Sequence, residues 1–336
     1  MKMLRNLLII AALAVISITA AQATQPAEVI HTNRYVLTGI PVQTNLFVNI
    51  EIIVLDAGRN NGDDITCLHG LVHTADTFLP IGTAMLHRDK KIHSVILINR
   101  VGHGGSSLPY GPAGVVFGDI TVDDESTVLL GVIDRLTANG ADISELIAHS
   151  LAGSIALAAN DKLVAAGTSF SKLGIEVKPV NSTFPAEISD PIADSGYYDA
   201  VLLDPANGYL QWSAETGFYV TLDPYSFLYF FLPPTTTLTP EDLVSLGYID
   251  KDPLGVTLGV LGMANERISI QSGGFSRKHG KDITFSVGQN DGNTDLEQTR
   301  ELSKYVTAGV DRVVVIRGGH SSYIDMPYEI AEDLGH

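Results

Sequence analysis

Ile147-Ala148-His149-Ser150-Leu151-Ala152-Gly153 is the stretch whose reading decides the fold. Leu146-Ile147-Ala148 is a short apolar run that reads as a buried strand, and Ile155-Ala156-Leu157-Ala158-Ala159 reads as a helix, with Ser150 at the corner between them. Small residues flank the serine, so the helix can approach the strand closely and hold the hydroxyl above the sheet edge. Ser150 is therefore the candidate nucleophile. A serine in front of a helix can equally be an N-cap, accepting a hydrogen bond from a backbone N–H of the first turn. The seven residues leave both roles open, and the rest of the chain must weigh them.

The chain has 336 residues, of which 45% are hydrophobic and 18% charged, the composition of a globular protein with a substantial core. Its net charge of -17 and the lack of a Lys/Arg cluster argue against a nucleic-acid partner and against steering of anionic substrates. Residues 1–23 have the pattern of a secretory signal: Lys2 and Arg5, the apolar run Leu7 to Ile18, then Ala21-Gln22-Ala23. Cleavage near Ala23 and a secreted or periplasmic location are expected. The apolar run is shorter than the ~20 residues of a spanning helix, so no stable membrane anchor is expected. Cys67 is the only cysteine, which excludes an internal disulfide, and it reads as a small buried hydrophobe. The ten histidines are scattered, with no H-E-x-x-H or paired-cysteine spacing. Asp63 and Asp64 lack the rest of a calcium-loop pattern. No metal and no cofactor are expected.

Along the chain, Arg34 to Leu37 and Phe47 to Leu55 read as strands, and the turn cluster from Asp56 to Asp64 reads as closing a hairpin onto the next one. Ile65 to Val72 is a strand carrying His69-Gly70, and Ala75 to His87 has helical spacing. Ser94 to Ile98 runs into Asn99-Arg100-Val101-Gly102-His103-Gly104-Gly105-Ser106-Ser107, a tight glycine turn, within which Arg100 and His103 are expected to hydrogen-bond, without the G-K-[ST] ending of a phosphate loop. Asp123-Asp124-Glu125 opens a helix through Ala138, where the helix dipole favours acidic residues. After the serine corner the pattern loosens from Asp161 to Asp199, and Ala200 to Pro205 reads as the next strand. Residues 207–275 are aromatic. Ile283 to Gly288 is a strand with Asp291 in the loop at its end, Leu296 to Val306 a helix, and Val313 to Ile316 the last strand, followed by Gly318-Gly319-His320. Strands alternating with helices predict a largely parallel sheet covered on both faces.

These residues, from about position 34 onward, resemble the alpha/beta-hydrolase fold family in its serine-nucleophile, esterase/lipase-like branch. The corner A-x-S-x-A resembles the nucleophile elbow, usually G-x-S-x-G, although alanines at 148 and 152 give up the φ freedom of glycine. The resemblance implies a mostly parallel eight-stranded sheet with helices on both faces and an inserted cap. The core would then comprise residues 24–206 and 276–336, with the cap at 207–275. It further implies the chain order nucleophile Ser150, acid Asp291, base His320, with Asp204 as the competing acid one strand earlier. The His-Gly strand end would supply one oxyanion N–H from Leu71, alternatively Val72, and the residue after the serine, Leu151, the other. His69 would prop that loop. Trp212, Phe218 and Tyr225 of the cap would wall an apolar substrate site, or would be the cap's own core. The implied activity is hydrolysis of small, apolar carboxylic esters of lipid, lactone or aryl type through an acyl-enzyme. The alternatives are a non-catalytic binding protein on a hydrolase scaffold, or a triad enzyme acting on amide or carbon–carbon bonds or in cofactor-free peroxidation.

Overall fold

The computed structural model describes residues 28–70, 73–115, 120–182, 283–292 and 294–336, the backbone strands at 201–204, 208–213 and 218–222, and isolated positions between 239 and 275. Among the described residues ten strands form one sheet. Eight of them are its body: β1 (His31–Gln43), β2 (Leu46–Asp56), β3 (Asp63–Leu68), β4 (Ile92–Ile98), β7 (Ile143–His149), β8 (Glu176–Val180), β12 (Phe285–Gly288) and β13 (Val313–Ile316). The other two, β5 (Tyr110–Gly111) and β6 (Gly114–Val115), are a two-residue hairpin beside β2. The body runs in the order β1-β2-β4-β3-β7-β8-β12-β13. All its neighbours are parallel except β1 with β2 and β2 with β4. This is the mostly parallel, eight-stranded α/β fold expected from the sequence.

Both faces of the sheet are apolar, which is why its strands read as continuous hydrophobic runs. On one face Leu68, Ile96, Ile98, Leu146 and Ala148 pack beneath α2 (Val122–Ala138), α3 (Leu151–Ala165) and α4 (Leu296–Val306). On the other, Ile65, Cys67, Val95, Leu97 and Ile147 pack with the 3-10 turn Ala75–Phe78, α1 (Leu79–Arg88) and α5 (Pro327–Asp333). Alternate residues of each strand serve opposite cores, as the pleat requires. Helix α2 starts in a capping box, in which the Thr121 hydroxyl accepts from the Asp124 N–H and the Asp124 carboxylate accepts from the Thr121 N–H.

Three expectations are corrected. The turn cluster after β2 does not close a hairpin, because β4 lies between β2 and β3 and the residues at 57–62 carry the chain across the sheet. Gly62 passes so close to the next loop that a Cβ would lie 2.2 Å from the Lys91 carbonyl oxygen. The core strand after the serine corner is β8, Glu-Val-Lys-Pro-Val, inside the stretch that showed no periodicity. The strand predicted at 200–205 is instead β9 (Val201–Asp204), which joins β10 (Gly208–Ser213) and β11 (Phe218–Leu222) in a separate antiparallel three-stranded sheet. Finally, Arg100 does not bond only within its own glycine turn. Its guanidinium is buried against Glu125 of α2, with Nε 2.8 Å from Oε2 and a second short contact from Nη2 to Oε1.

That ion pair yields a stability prediction. Removing one partner of a buried pair leaves the other charge uncompensated, at a cost of about 3–5 kcal/mol. Glu125→Ala is expected to lower the urea midpoint by a corresponding amount, and a midpoint within error of the parent protein would refute the assignment.

Candidate active site

Strand β7 ends at His149, and the next residue leaves the sheet with φ 54° and ψ -123°. Ser150 still donates its N–H to the Val180 carbonyl at 3.0 Å, so the corner remains tied to β8 while it turns. Such a conformation costs a non-glycine residue about 1–3 kcal/mol and is found where the surroundings over-determine it. The positive φ falls on the serine itself, and Ala148 and Ala152 are not among the residues with positive φ. Alanine at those positions therefore carries no backbone penalty; what they require is small size, and both are fully buried. The serine makes no side-chain cap bond to α3. Its Oγ lies instead 3.1 Å from Nε2 of His320.

His320 stands in the loop after β13. Its Nδ1 lies 3.0 Å from Oδ2 of Asp291, whose carboxyl group is fully buried in the loop after β12. The other carboxylate oxygen accepts from the Thr294 N–H at 3.2 Å, which fixes the plane of the group. With Nδ1–H directed at the carboxylate, Nε2 is the acceptor facing the serine hydroxyl. The sequence thus named three residues that the fold brings into one hydrogen-bonded line. Asp204 ends β9 in the separate sheet. The position after the core strand β8, where a carboxylate one strand earlier would stand, is held by Asn181.

The two loops are fastened to one another. Gln289 N–H donates to the Ile316 carbonyl at 2.8 Å and Asn290 N–H to that of Gly318 at 2.9 Å. Gly288 must lack a side chain, because a Cβ there would lie 2.7 Å from the Gly318 carbonyl oxygen. On the opposite side of the corner Gly70 is equally constrained, since its Cβ would meet Ser150 Cβ at 2.7 Å. The Gly70 carbonyl accepts from His69 Nδ1 at 2.8 Å and from Arg100 Nη1 at 3.2 Å, while His69 Nε2 accepts from the Arg100 N–H at 3.1 Å. His69 is therefore a prop, as expected. Beyond the loop, Ala75 N–H is held by Asn99 Oδ1 at 2.8 Å. Leu71 and Val72, the expected oxyanion donors, lie outside the described residues. Leu151 is the first residue of α3, where a helix leaves its N–H groups without intrahelical partners. Of the expected cap residues, Tyr225 lies outside the described residues, and for Trp212 on β10 and Phe218 on β11 only the backbone is described.

Sequence reasoning passed over His149, Asn181 and Tyr323, which surround the base. His149 Nε2 lies 2.9 Å from the His320 carbonyl oxygen, Asn181 Nδ2 2.7 Å from the same oxygen, and Tyr323 Oη 3.4 Å from His149 Nδ1. His149 adjoins Ser150 and Tyr323 follows His320 by three residues, whereas Asn181 lies in the stretch without periodicity and carried no signal. Burial, reinforced by the charge of His320, lowers His73 to about 3 and His149 well below the usual histidine range. Burial and then the Arg100 charge lower His103 to about 3, and burial with neighbouring His103 and Arg100 lowers His69 well below the usual histidine range. Among the described residues no group of His, Cys, Asp or Glu could hold a metal ion.

An open parallel sheet with a serine at a strand-to-helix corner, met by a histidine and an aspartate from later strand ends, is the architecture of an α/β protein built around a hydroxyl–imidazole–carboxylate line. The sequence from residue 67 to residue 333 matches the Alpha/beta hydrolase family, and the chain belongs to it. No curated protein sequence matches the chain. Among solved structures it is similar to a thermophilic esterase from Thermogutta terrifontis, with 16% identity and a TM-score of 0.57 over 90% of this chain and 96% of that one. An enol-lactonase from Burkholderia xenovorans LB400 aligns at 14% identity and TM-score 0.52 over 86% and 97%. A bromoperoxidase from Bacillus anthracis aligns at 17% identity and TM-score 0.50 over 89% and 98%. At these identities the likeness extends to the fold.

The buried histidines carry a pH dependence. Each binds a proton in the unfolded chain near 6.5 but, for His73 and His103, only near 3 in the folded one. Between those values the unfolded state holds more protons, so stability falls as pH falls, by up to about 1.4 kcal/mol per pH unit for each such histidine. The urea midpoint is expected to drop steadily from pH 6.5 downward, and His103→Gln should flatten the slope. A midpoint unchanged between pH 6.5 and 5 would contradict this.

Proposed function

We propose that this protein is an exported serine hydrolase that cleaves small carboxylic esters through a Ser150–His320–Asp291 triad. The observation that carries the reading is the line Ser150 Oγ, His320 Nε2 at 3.1 Å, His320 Nδ1, Asp291 Oδ2 at 3.0 Å, set on a corner with a positive φ. Neither a helix cap nor a folding requirement calls for that line, because the serine gives up its capping bond to make it.

The chemistry follows from the positions. A serine hydroxyl is a weak nucleophile at neutral pH, so Nε2 of His320 takes its proton as Oγ bonds to the ester carbonyl carbon. Asp291 holds the imidazole with Nδ1–H toward itself and balances the imidazolium that forms. The carbonyl oxygen, now negative, accepts from the N–H of Leu151 and from that of Leu71, or alternatively Val72, after the His69-Gly70 pair. Collapse breaks the bond to the alcohol oxygen, which leaves with the proton from Nε2. Water then gives a proton to Nε2 and its oxygen to the acyl carbon, and the acid departs as Oγ regains its proton.

Several further elements belong to this reading. Residues 1–23 are proposed as a signal removed near Ala23, and no helix among the described residues is long and apolar enough to cross a membrane. Trp212, Phe218 and Tyr225 are proposed to wall an apolar acyl or aryl site. Ester substrates are supported by the described activities of the similar structures, an esterase and an enol-lactonase.

The test is labelling of the mature protein with a fluorophosphonate, read by mass spectrometry, beside turnover of short and long p-nitrophenyl esters. An adduct on Ser150 with ester turnover is expected, and Ser150→Ala should remove both. A protein that takes up no label and turns over no ester would be a binding protein on this scaffold. Asp291→Asn, which leaves the imidazole in the wrong tautomer, should lower kcat by about 10⁴-fold. If Asp204→Asn did so and Asp291→Asn did not, the acid would be misassigned.

A further inference from the structure

The carbonyl group of His320 receives two hydrogen bonds from buried side chains on two different strand ends. His149, at the end of β7, donates from Nε2 at 2.9 Å, and Asn181, just after β8, donates from Nδ2 at 2.7 Å. The same Asn181 amide donates to the Gly319 carbonyl at 2.9 Å, and its Oδ1 accepts from the Gly288 N–H at 2.6 Å. Its backbone has φ 47° and donates to the Ser286 carbonyl at 2.8 Å. One carboxamide therefore binds the end of β12, which leads to Asp291, to the loop that carries His320. All three positions are essentially closed to solvent, with His149 at 0%, Asn181 at 1% and His320 at 4% exposure.

The hydrogen bonds also fix how His149 is protonated. Its Nε2 faces a carbonyl oxygen and must carry the hydrogen, and burial keeps the ring neutral, so Nδ1 is a bare acceptor. The Tyr323 hydroxyl oxygen lies 3.4 Å from that atom and 3.3 Å from His73 Nδ1. The rings of His149 and His320 meet edge to face at 4.9 Å, and Tyr323 stacks on Phe78 at 4.9 Å. Contacts thus run from His73 through Tyr323 and His149 to the backbone of the base.

We propose that His149 and Asn181 are positioning residues that jointly clamp the His320 carbonyl and thereby hold the imidazole in line between Ser150 and Asp291. Neither touches the reacting atoms. The proposal rests on the triad reading for its catalytic consequence, whereas the geometry it asserts belongs to the folded protein and can be measured without substrate.

The experiment compares the parent protein with His149→Phe, which keeps a ring and removes the donor, and His149→Gln, whose amide restores an N–H near the Nε2 position. Asn181→Gly removes the carboxamide without penalising a positive φ. Two readouts are taken on each, with thermal unfolding alongside. The first is the far-downfield imidazole N–H resonance of His320 against Asp291, observed by NMR on histidine-labelled protein and assigned by its loss in Asp291→Asn. The second is kcat and KM on a p-nitrophenyl ester. The resonance should be sharp in the parent and in His149→Gln, and broadened or lost in His149→Phe and Asn181→Gly although both remain folded. For those two, kcat should fall about 10- to 100-fold with KM little changed, as expected for a misplaced base. The double variant should lose less than the product of the single losses, since the two donors serve one acceptor. A sharp resonance persisting in both folded variants, or a His149→Gln as impaired as His149→Phe, would overturn the clamp. If the parent shows neither label nor turnover, the proposed function fails while the resonance still decides the clamp.

Discussion

Everything in the site depends on one backbone constraint, the left-handed turn at Ser150. A residue with φ 54° cannot continue a parallel strand, so its side chain leaves the plane of the sheet just where α3 begins. The strain is held by the ladder on either side. Residues before the corner pair with β3 and β8, and the Ser150 N–H itself closes onto Val180. Because β7 lies in the interior of the sheet, neither neighbour can yield without disturbing both apolar cores. The close approach of Gly70 is the second half of the constraint, since any side chain there would occupy the space of the serine Cβ.

Strand order then sets a problem of distance. The base follows β13, and three strand spacings, about 14 Å, separate that strand from β7. The loop at 317–322 has to travel back over the ends of β12 and β8 to bring an imidazole to the serine. Two residues lie beneath its path, and each is suited to the place. Gly288 allows the Gly318 carbonyl to pass within contact of its backbone, and Asn181 meets the next two carbonyls with its amide N–H groups. An apolar residue at 181 would take one donor from each of those buried carbonyls, leaving the Gly319 carbonyl to Ser322 and the His320 carbonyl to His149, and a carboxylate would repel both. Thus β8, which contributes nothing to the hydroxyl–imidazole–carboxylate line, determines the height at which the base crosses the sheet.

What was legible in the sequence was what is local. The serine corner, the helix from Leu296 to Val306 and the last strand from Val313 to Ile316 are read from consecutive residues and recur within those bounds in the structure. The order of Ser150, Asp291 and His320 was visible for the same reason, each being attached to a strand end. Strand β8 was hidden because Lys178 and Pro179 interrupt an apolar run. The lysine is tolerated in the interior because its Nζ lies 2.6 Å from Glu145 Oε2 of β7 and 2.7 Å from the Leu334 carbonyl, contacts that exist only after the strands pair. The Arg100–Glu125 pair and the turn cluster after β2 were misread likewise, since both depend on which strand lies between which. The domain boundaries and the cap residues fall largely outside the described residues.

The histidines around the base have one more physical consequence. His69, His73, His103 and His149 are all buried, and their hydrogen bonds go to carbonyls, a backbone N–H and a phenol. Burial keeps them neutral, and for His73 and His149 the charge of His320 lowers them further. Of the five, His320 has the carboxylate partner. Four neutral rings thus surround the one that faces the Asp291 carboxylate. In the proposed reaction the positive charge that appears when Ser150 loses its proton is therefore confined to the ring adjoining the serine. The surrounding imidazoles supply oriented dipoles without competing for the proton.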